Sequence, residues 1–517
     1  FEFAMDTLIY TVVFFLVIFC MTLVYNLFQI QLANPIELLH GGSHGEKEPK
    51  TKWLLTVLGI VLLGTGYLIA IKVEHPLAAI QAFFIAVVCV ILGTYALFTA
   101  GSVALLKGLR KNKKFYYQTK HFSAVAGMIY RMKQNAVGLA NICILSTMVL
   151  VMISTTISLY VGMEDVLTTR FPREFEAKTN VSTPESDRAV DRIIEEELAK
   201  VSVKPTSILR YHDGGVAAIE QGDEFLLQEF GDYSMDGVVE VIMIPLEDYN
   251  RMEGTRDSLG PDEAYIYATG KEWGRDRVSL GGRTYRVAKE LKEMKLVSKD
   301  ENSLVNSYYL IVSDEEQIRE ILVKSCGDSD MQEDWAEQIS ALNYRVTFDL
   351  KGGKEDCLNV TQAMKDRIES EVYSGFCESR ELSRGEFYFL YGGLLFIGIY
   401  LGALFLMATV LIMYYKQISE GYDDRERYQI MQKVGMSKSE VRRSIRSQVL
   451  MVFFLPLVTA VVHIAVAFGV VTKLLAVLNL TNVPLFLVCT IVTVIVFALF
   501  YGIVFSLTAR EYYKIVN

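Results

Sequence analysis

Long apolar stretches dominate the chain and predict membrane-spanning helices. A transmembrane helix needs about 20 apolar residues in a row, and seven stretches reach that length. Each is apolar on every face, so it needs lipid or a very large protein around it, and this favours an integral membrane protein over a soluble one. The predicted spans are residues 8–28, 53–71, 81–106, 137–161, 387–415, 449–471 and 483–507.

A long hydrophilic segment, residues 162–386, interrupts the series of spans. Residues 238–246 (VVEVIMIPL) and 306–312 (NSYYLIV) have the composition of strands. Residues 314–324 predict a helix that Asp314 caps, and residues 188–200 predict a second amphipathic helix. Because strands and helices alternate, the predicted fold class is a polytopic α-helical membrane protein with a large α+β domain.

Positively charged loops predict the orientation of the chain in the membrane. The chain has 517 residues, is 51% hydrophobic and has a mean hydropathy of +0.28. Residues 107–135 contain eight Lys and Arg and no acid, and residues 416–448 contain eight against five acids. Such loops stay in the cytoplasm, so alternation of the spans places residues 162–386 outside the cell.

The net charge of −9 hides two parts of opposite sign. Residues 162–386 contain 28 basic and 48 acidic residues, which leaves 23 basic and 12 acidic residues for the rest of the chain. An acidic outer domain suits cationic peptides, because opposite charge raises encounter rates. The same charge is also explained by solubility alone.

Catalytic and metal-binding motifs are missing from the sequence. Residues 41–47 (GGSHGEK) depart from a P-loop, because the glycine spacing is wrong and no Ser or Thr follows Lys47. No GxSxG, no HExxH and no metal-spaced histidine pair occurs. Only His463 lies well inside a span, and a lone histidine there is more often a satisfied structural residue than a proton relay, so ion-coupled transport is disfavoured. We therefore expect no enzyme, cofactor or metal site in this chain, and no nucleic-acid partner.

Seven cysteines occur, and four of them (Cys20, Cys89, Cys143 and Cys489) lie in predicted spans. The other three, Cys326, Cys357 and Cys377, lie in the hydrophilic segment. If one disulfide forms there, Cys357 with Cys377 is the favoured pair. Three is an odd number and no metal spacing is present, so no disulfide framework is predicted.

Three motifs carry a resemblance to a known family. Residues 131–154 (RMKQNAVGLANICILSTMVLVMIS) closely resemble the segment that leads into the outer domain of Bce-type permeases, which confer resistance to bacitracin and other antimicrobial peptides. These permeases belong to the FtsX-like/MacB superfamily of ABC transporter subunits. Residues 426–448 (ERYQIMQKVGMSKSEVRRSIRSQ) resemble the cytoplasmic loop of that superfamily, and residues 34–41 (NPIELLHG) resemble the element that closes its first transmembrane repeat.

The resemblance implies a division of the chain. In this family the Pro-Ile-Glu-Leu-Leu element follows the fourth of ten helices, so the seven spans are expected to be helices four to ten. The expected parts are 1–52 (last helix of the first FtsX-like repeat and a coupling segment), 53–106 (two additional helices), 107–136 (basic cytoplasmic loop), 137–161 (helix to the outer domain), 162–386 (extracellular domain) and 387–517 (second repeat, with coupling loop 416–448).

Two segments are predicted to contact a partner ATPase. Pro35 suits the first turn of a short helix, Gly435 ends a helix, and Ser437 caps the next one in a capping box with Glu440. A plain re-entry turn at the second segment and an interfacial helix on lipid at the first remain alternatives. The predicted coupling residues are Pro35, Ile36, Glu37, Leu38 and Leu39, together with Tyr428, Ile430, Met431, Val434, Gly435, Met436 and Ser437.

The function that the resemblance implies is that of an ABC transporter permease in a bacterial cell membrane, conferring resistance to antimicrobial peptides that target the cell wall and sensing them. Its expected partners are an ABC ATPase dimer holding ATP and Mg, a membrane histidine kinase, membrane lipids, and the peptide or its complex with a lipid cell-wall precursor. A MacB-like permease that extracts lipid or lipoprotein and a receptor scaffold that signals to a kinase are the alternatives. The two helices within 53–106 argue against extraction, because they lie between the repeats.

Overall fold

A computed structural model describes most of the chain. The described residues are 5–32, 52–73, 76–111, 119–227, 237–269, 272–297, 306–325, 341–433, 437–478 and 480–516. Among them, seven helices are long and apolar enough to cross a membrane, which confirms the predicted number of spans. The protein is therefore a multi-pass membrane protein.

The helices follow one another along the chain with the hydrophilic domain between the fourth and fifth membrane spans. A π-helical turn, Leu97–Gly101, joins α3 to α4, so these two form one span. In chain order the helices are α1 Met5–Leu32, α2 Trp53–Lys72, α3 Pro76–Ala96, α4 Ser102–Lys111, α5 Thr119–Val161, α6 Met163–Arg170, α7 Pro184–Ala199, α8 Leu246–Glu253, α9 Glu315–Ser325, α10 Lys354–Glu371, α11 Arg380–Lys433, α12 Lys438–Val477 and α13 Val483–Val516.

Helices α5 and α11 extend furthest at one end beyond the spans that hydropathy predicts. Helix α5 begins at Thr119, within the segment predicted as a basic loop, and α11 continues to Lys433. Residues 416–433, which were assigned to the coupling loop after the span 387–415, are instead the last turns of α11. The reason is that residues 416–433 are charged but contain no Pro and a single Gly, so hydropathy falls while helix propensity persists.

The hydrophilic domain is an α+β fold, as predicted. The predicted strands appear as β4 and β8, and the predicted helices as α7 and α9. The backbone N–H of Gln317 donates to Oδ1 of Asp314 at 3.2 Å, which confirms the N-cap. The strands are β1 Phe175–Thr179, β2 Lys204–Gln221, β3 Glu224–Leu227, β4 Val238–Pro245, β5 Glu263–Ala268, β6 Arg277–Leu280, β7 Arg283–Glu290, β8 Ser307–Val312, β9 Asn343–Lys351 and β10 Gly375–Ser379.

The long strand β2 belongs to two lobes. Its first half, up to Asp213, extends a sheet in the order β10-β1-β9-β2, and helices α7 and α10 cover this sheet. Its second half, from Gly214, closes a ring in the order β2-β3-β6-β7-β5-β8-β4, because β4 pairs back with β2. We call the first unit the proximal lobe, since β1 and β10 connect it to the membrane helices, and the second unit the ring lobe.

Gly214 lies where β2 passes from one lobe to the other. A Cβ at this position would lie 2.6 Å from Cγ2 of Ile318 and 2.9 Å from Cδ1 of Leu322, both on α9. Real Cβ atoms do not approach that closely, so the packing of α9 against the start of the ring requires glycine here. The ring lobe has its core inside the ring, with Tyr285 and Phe225 among its largest buried side chains.

A cluster of charged side chains joins the two lobes. His212 on β2 contacts Asp187 of the proximal lobe through Nε2 at 3.2 Å and Asp248 of the ring lobe through Nδ1 at 2.8 Å. Burial by itself would lower the pKa of His212, but hydrogen bonds to Asp187 and Asp248 and the charge of Glu315 outweigh it and raise the pKa to about 9. The imidazole is therefore positively charged at neutral pH, and the contact is a charged bridge between the lobes.

The next residue along β2 forms a second ion pair. Oδ2 of Asp213 lies 2.6 Å from Nε of Arg345 on β9, and Nη1 of the same guanidinium donates to Glu176 on β1 at 2.6 Å. Burial would lower the pKa of Arg345, but the charge of Asp213 and of its other neighbours raises it well above its usual range. This pair fixes β2 against the centre of the proximal sheet.

The cysteines that form the favoured pair if a disulfide is present are not bonded to each other, and Cys326 lies outside the described residues. Cys357 and Cys377 are both free thiols. Cys377 on β10 is buried in the apolar core of the proximal lobe, and Cys357, in the first turn of α10 beside Gly352, is partly buried against the same core. Burial raises the pKa of both thiols, which disfavours the thiolate needed for disulfide exchange.

Candidate coupling path

The predicted coupling residues are described only in part. Pro35–Leu39 and residues 434–436, which include Val434, Gly435 and Met436, lie outside the described residues. Tyr428, Ile430 and Met431 lie in the last two turns of α11, where Ile430 is 60% exposed, and Ser437 directly precedes α12. An exposed apolar side chain at the end of a membrane helix can bind a partner protein. The coupling role of these residues stays a prediction.

Helix α11 links these turns to the hydrophilic domain without a break. Its 54 residues span roughly 80 Å at about 1.5 Å per residue, far more than the roughly 30 Å hydrocarbon core of a bilayer. We call the end of the helix bundle at residues 416–433 the loop side and the end at the hydrophilic domain the domain side. On the domain side, α11 starts at Arg380, directly after the last residue of β10.

Helix α5 packs along α11 through small residues. A Cβ on Gly398 would lie 2.5 Å from Oγ1 of Thr156, and a Cβ on Gly402 would lie 2.9 Å from Cδ1 of Ile153. Close approach at small residues is the usual basis of helix association in lipid, where the hydrophobic effect does not drive helices together. The two helices that enter and leave the hydrophilic domain are therefore packed together through the membrane.

On the domain side, arginines bind α11 to the start of the proximal lobe. Nη2 of Arg380 donates to the carbonyl oxygens of Phe171 and Pro172, at 2.5 and 3.0 Å. Arg384 bridges Glu164 on α6 and Glu381 on its own helix. We call this group the collar. Because it holds the end of α6 and the approach to β1 against α11, the proximal lobe is fixed to α11 at two adjacent strands, β1 and β10.

The loop between the last two helices also joins the collar. Nδ2 of Asn482 donates to Oδ2 of Asp165 on α6 at 2.7 Å, and the hydroxyl of Tyr391 donates to the carbonyl oxygen of Leu478 at 3.2 Å. The α12–α13 connection is thereby tied to α6 and to α11. All of these contacts involve residues that the sequence reasoning did not single out; the paired charges of Glu164, Glu381 and Arg384 beside the ends of two spans were the available signal.

On the loop side, polar side chains are buried between helices. Nζ of Lys416 donates to Oδ1 of Asn135, and Nδ2 of Asn135 donates to Oε1 of Glu420. The hydroxyl of Tyr512 on α13 donates to Oδ2 of Asp424 at 2.6 Å. The sequence reasoning missed this group, because polar residues at the edge of a span look like solvated loop residues.

A lateral apolar cavity of about 380 Å³ lies between the α2–α3 pair and helices α5 and α12. Two of its lining side chains, His463 and Tyr67, are hydrogen-bonded to each other. The hydroxyl of Thr94 donates to its own helix at the carbonyl oxygen of Val90, so Nε2 of His463 donates to Thr94, at 3.1 Å, and Nδ1 accepts from Tyr67, at 2.6 Å. His463 is thus a satisfied structural residue that holds α2 and α3 to α12, as predicted, and does not belong to a chain of titratable groups.

Comparisons with known proteins find ABC transporter permeases. The chain is 26% identical over 468 residues to the ABC transporter permease protein YxdM of Bacillus subtilis, covering 87% of this chain and 67% of that protein. It is 22% identical over 487 residues to the bacitracin export permease protein BceB of Halalkalibacterium halodurans, covering 89% and 70%. It is 23% identical over 507 residues to BceB of Bacillus subtilis, again covering 89% and 70%.

No family model matches the chain. The relatives nevertheless share most of its length, including both the membrane spans and the hydrophilic domain. The chain is therefore a homologue of ABC transporter permeases, bacitracin export permeases among them, and the predicted resemblance to the Bce type is confirmed.

Proposed function

We propose that this permease works with a separate ABC ATPase dimer to protect a bacterium from antimicrobial peptides that target the cell wall. The observation that carries the proposal is the unbroken path of α11 from its exposed turns at Ile430 to the collar at Arg380. A long helix fixed to the proximal lobe transmits a displacement at one end to the other. The ATPase, which binds ATP and Mg, supplies that displacement at the coupling residues named above.

The hydrophilic domain is the part that handles the peptide in this proposal. It lies outside the cell and contains 48 acidic and 28 basic residues, which favours encounter with cationic peptides or with a peptide held on a lipid cell-wall precursor. Its two lobes share β2 and are joined by the charged bridge at His212, and in this proposal their relative position changes during the cycle. Motion of the proximal lobe would then release the peptide from its lipid target, and a membrane histidine kinase would read the same motion.

Protection in a susceptible bacterium tests the proposal. The chain is expressed with its partner ATPase, and the minimal inhibitory concentrations of bacitracin and of cationic peptides are measured. Wild type is expected to raise these concentrations, and an ATPase variant that binds but does not hydrolyse ATP is expected to abolish the effect. No protection against any cell-wall-targeting peptide, with both proteins present in the membrane, would refute the proposal.

A cross-link tests whether α5 and α11 act as one unit. In the double variant Thr156→Cys and Gly398→Cys, a Cβ on residue 398 lies 3.1 Å from Cβ of residue 156, so a disulfide needs only a small adjustment. Protection is expected to persist after oxidation. Its loss after oxidation, and its return with a reductant, would show instead that the two helices must slide past each other.

A further inference from the structure

The buried faces of three helices become polar together on the loop side of the bundle. Asn135 on α5, Gln417, Glu420 and Asp424 on α11, and Tyr512 on α13 are each no more than 7% exposed. Their positions on α11, at intervals of three and four residues, place the three α11 side chains on one stripe of the helix. We call these five residues the polar layer.

Contacts within the layer cross from helix to helix. Asn135 accepts from Lys416 and donates to Glu420, so one side chain of α5 is held by two charged side chains of α11. The contact between Tyr512 and Asp424 joins α11 to α13 at 2.6 Å. Glu420 and Asp424 are one turn apart, so α11 is bound to a different neighbour on each of two successive turns.

Deeper in the membrane, the contacts of α11 with α5 become mainly apolar. Met413, one turn further into the membrane on the same stripe of α11, packs with Leu139 and Ile142 of α5 in one cluster of buried hydrophobic residues. Apolar contacts of this kind tolerate small shifts, because they are non-directional. Hydrogen bonds require particular donors opposite particular acceptors, so a shift of one helix along another would break the contacts of Asn135.

The polar layer also costs free energy that an apolar layer would not. The carboxylate of Glu420 is removed from water, and the side-chain amide of Gln417 has no hydrogen-bond partner among the described residues. Buried polar groups in helix bundles specify register at the expense of stability, as a single buried asparagine does in a coiled coil. The polar layer is similar to that case, because a single asparagine, Asn135, lies at its centre and faces α11.

We infer that the polar layer is a register clamp, which holds the loop-side end of α11 in one position against α5 and α13. The inference rests on the proposed function, because it explains how a displacement of α11 also moves α5, the other helix that enters the hydrophilic domain. Asn135, Lys416 and Glu420 are positioning residues in this account. They keep the helices aligned and do not contact the ATPase or the peptide.

Exchanging the polar groups tests the clamp. Asn135→Asp places a second carboxylate beside Glu420, and Glu420→Gln removes the charge that offsets Lys416. The double variant Asn135→Asp and Glu420→Gln again contains one carboxylate, one amide and one ammonium group, with the first two exchanged. We therefore expect each single variant to loosen the register and the double variant to restore it.

The readout is a distance between spin labels in the full chain with its partner ATPase, in lipid nanodiscs. Labels are attached at Val137 on α5 and Tyr415 on α11, which are both exposed, in a background whose accessible native cysteines are replaced. Wild type is expected to give one narrow distance distribution with and without ATP. Asn135→Asp is expected to give a broad distribution that changes with ATP, and the double variant a narrow one.

Protection and ATP turnover are measured on the same variants. Asn135→Asp is expected to reduce protection by about fivefold or more while the ATPase continues to turn over, as a lost coupling of typical size would. Thr409→Val is the matched control, because Thr409 lies buried on the same stripe of α11 but donates only within its own helix, to Phe405. It is expected to keep both the narrow distribution and the protection.

The inference would be wrong if the distance distribution of Asn135→Asp were as narrow as that of wild type. It would also be wrong if the double variant gave a broad distribution at a normal protein level. A loss of protection that only follows the amount of protein in the membrane would overturn it as well. A wild-type chain that confers no protection would refute the proposed function instead. The distance measurement still decides the clamp in that case, since it needs no peptide.

Discussion

The charged bridge at His212 predicts that the two lobes separate more easily as the pH rises. The pKa of His212 is raised from 6.5 to about 9 by its carboxylate partners, against the opposing effect of burial. A raised pKa means that protonation stabilises the folded contact. The stabilisation is fully present below pH 6.5, the value for the unfolded chain, and is lost as the pH rises through about 9.

The magnitude follows from the difference between the two pKa values. At about 1.4 kcal/mol per pKa unit, a rise from 6.5 to about 9 corresponds to roughly 3 kcal/mol. The imidazole is 19% exposed, and solvent screens part of this interaction, so about 2 kcal/mol is a realistic contribution to the closed arrangement of the lobes. The effect is expected to be local to β2 and α8, because Asp248 on α8 also accepts the backbone N–H of His212.

Hydrogen exchange of the full chain in nanodiscs measures this effect. Between pH 7 and pH 10, and after correction for the intrinsic exchange rate, the opening free energy of peptides from β2 and α8 is expected to fall by about 2 kcal/mol. His212→Gln is expected to remove the pH dependence of this opening free energy and to lower its value at pH 7. Glu247→Gln is the control, since Glu247 is exposed on α8 and is not among the groups that shift the pKa of His212, and it should change little. An opening free energy of the wild-type peptides that stays constant between pH 7 and pH 10 would refute the reasoning.

Three further predictions concern stability and the reactivity of cysteines. Asp213→Asn should destabilise the hydrophilic domain by about 2 kcal/mol, because it removes one of the two carboxylates that balance Arg345 and leaves only Glu176; a thermal unfolding shift no larger than that of a surface variant would contradict this. His463→Leu should lower thermal stability in detergent by about 1 kcal/mol through loss of the contacts to α2 and α3, without affecting ATP turnover. Cys377 should resist maleimide until the chain unfolds, while Cys357 reacts earlier, and a reductant should not change the melting temperature; a mass shift of a Cys357–Cys377 disulfide would show otherwise.

The membrane part of the fold could be predicted from the sequence because hydropathy integrates over about 20 residues and the bilayer demands that length. The ends of the helices could not be predicted in this way. Residues 416–433 are charged enough to leave the membrane but contain nothing that stops a helix, so α11 continues through a segment that hydropathy marks as a loop. The sequence therefore suggested a membrane span followed by a separate loop segment, whereas residues 380–433 form one helix.

In the hydrophilic domain too, the sequence predicts local elements but not their arrangement. Strands such as β4 and β8 are visible from local composition, but the closed ring depends on pairings between strands far apart in the chain, such as β2 with β4 and β4 with β8. Local patterns contain no information on those partners. Cys357 and Cys377 likewise pack at the same apolar core but remain free thiols, because the sequence does not contain the short distance and the geometry that a disulfide needs.

The positions of the polar contacts fit the proposed transmission of force by a helix pair with an apolar centre. Between the collar at Arg380 and the polar layer at Asn135, α5 and α11 meet mainly through glycines and apolar side chains, whose contacts hold the helices together without fixing their register. Directional contacts occur at the two ends, where each helix passes from lipid to water and polar groups cost least. Register is thus fixed where a displacement enters and where it leaves. Substitutions in the apolar centre should therefore alter stability more than coupling, whereas substitutions at either end should alter coupling more than stability.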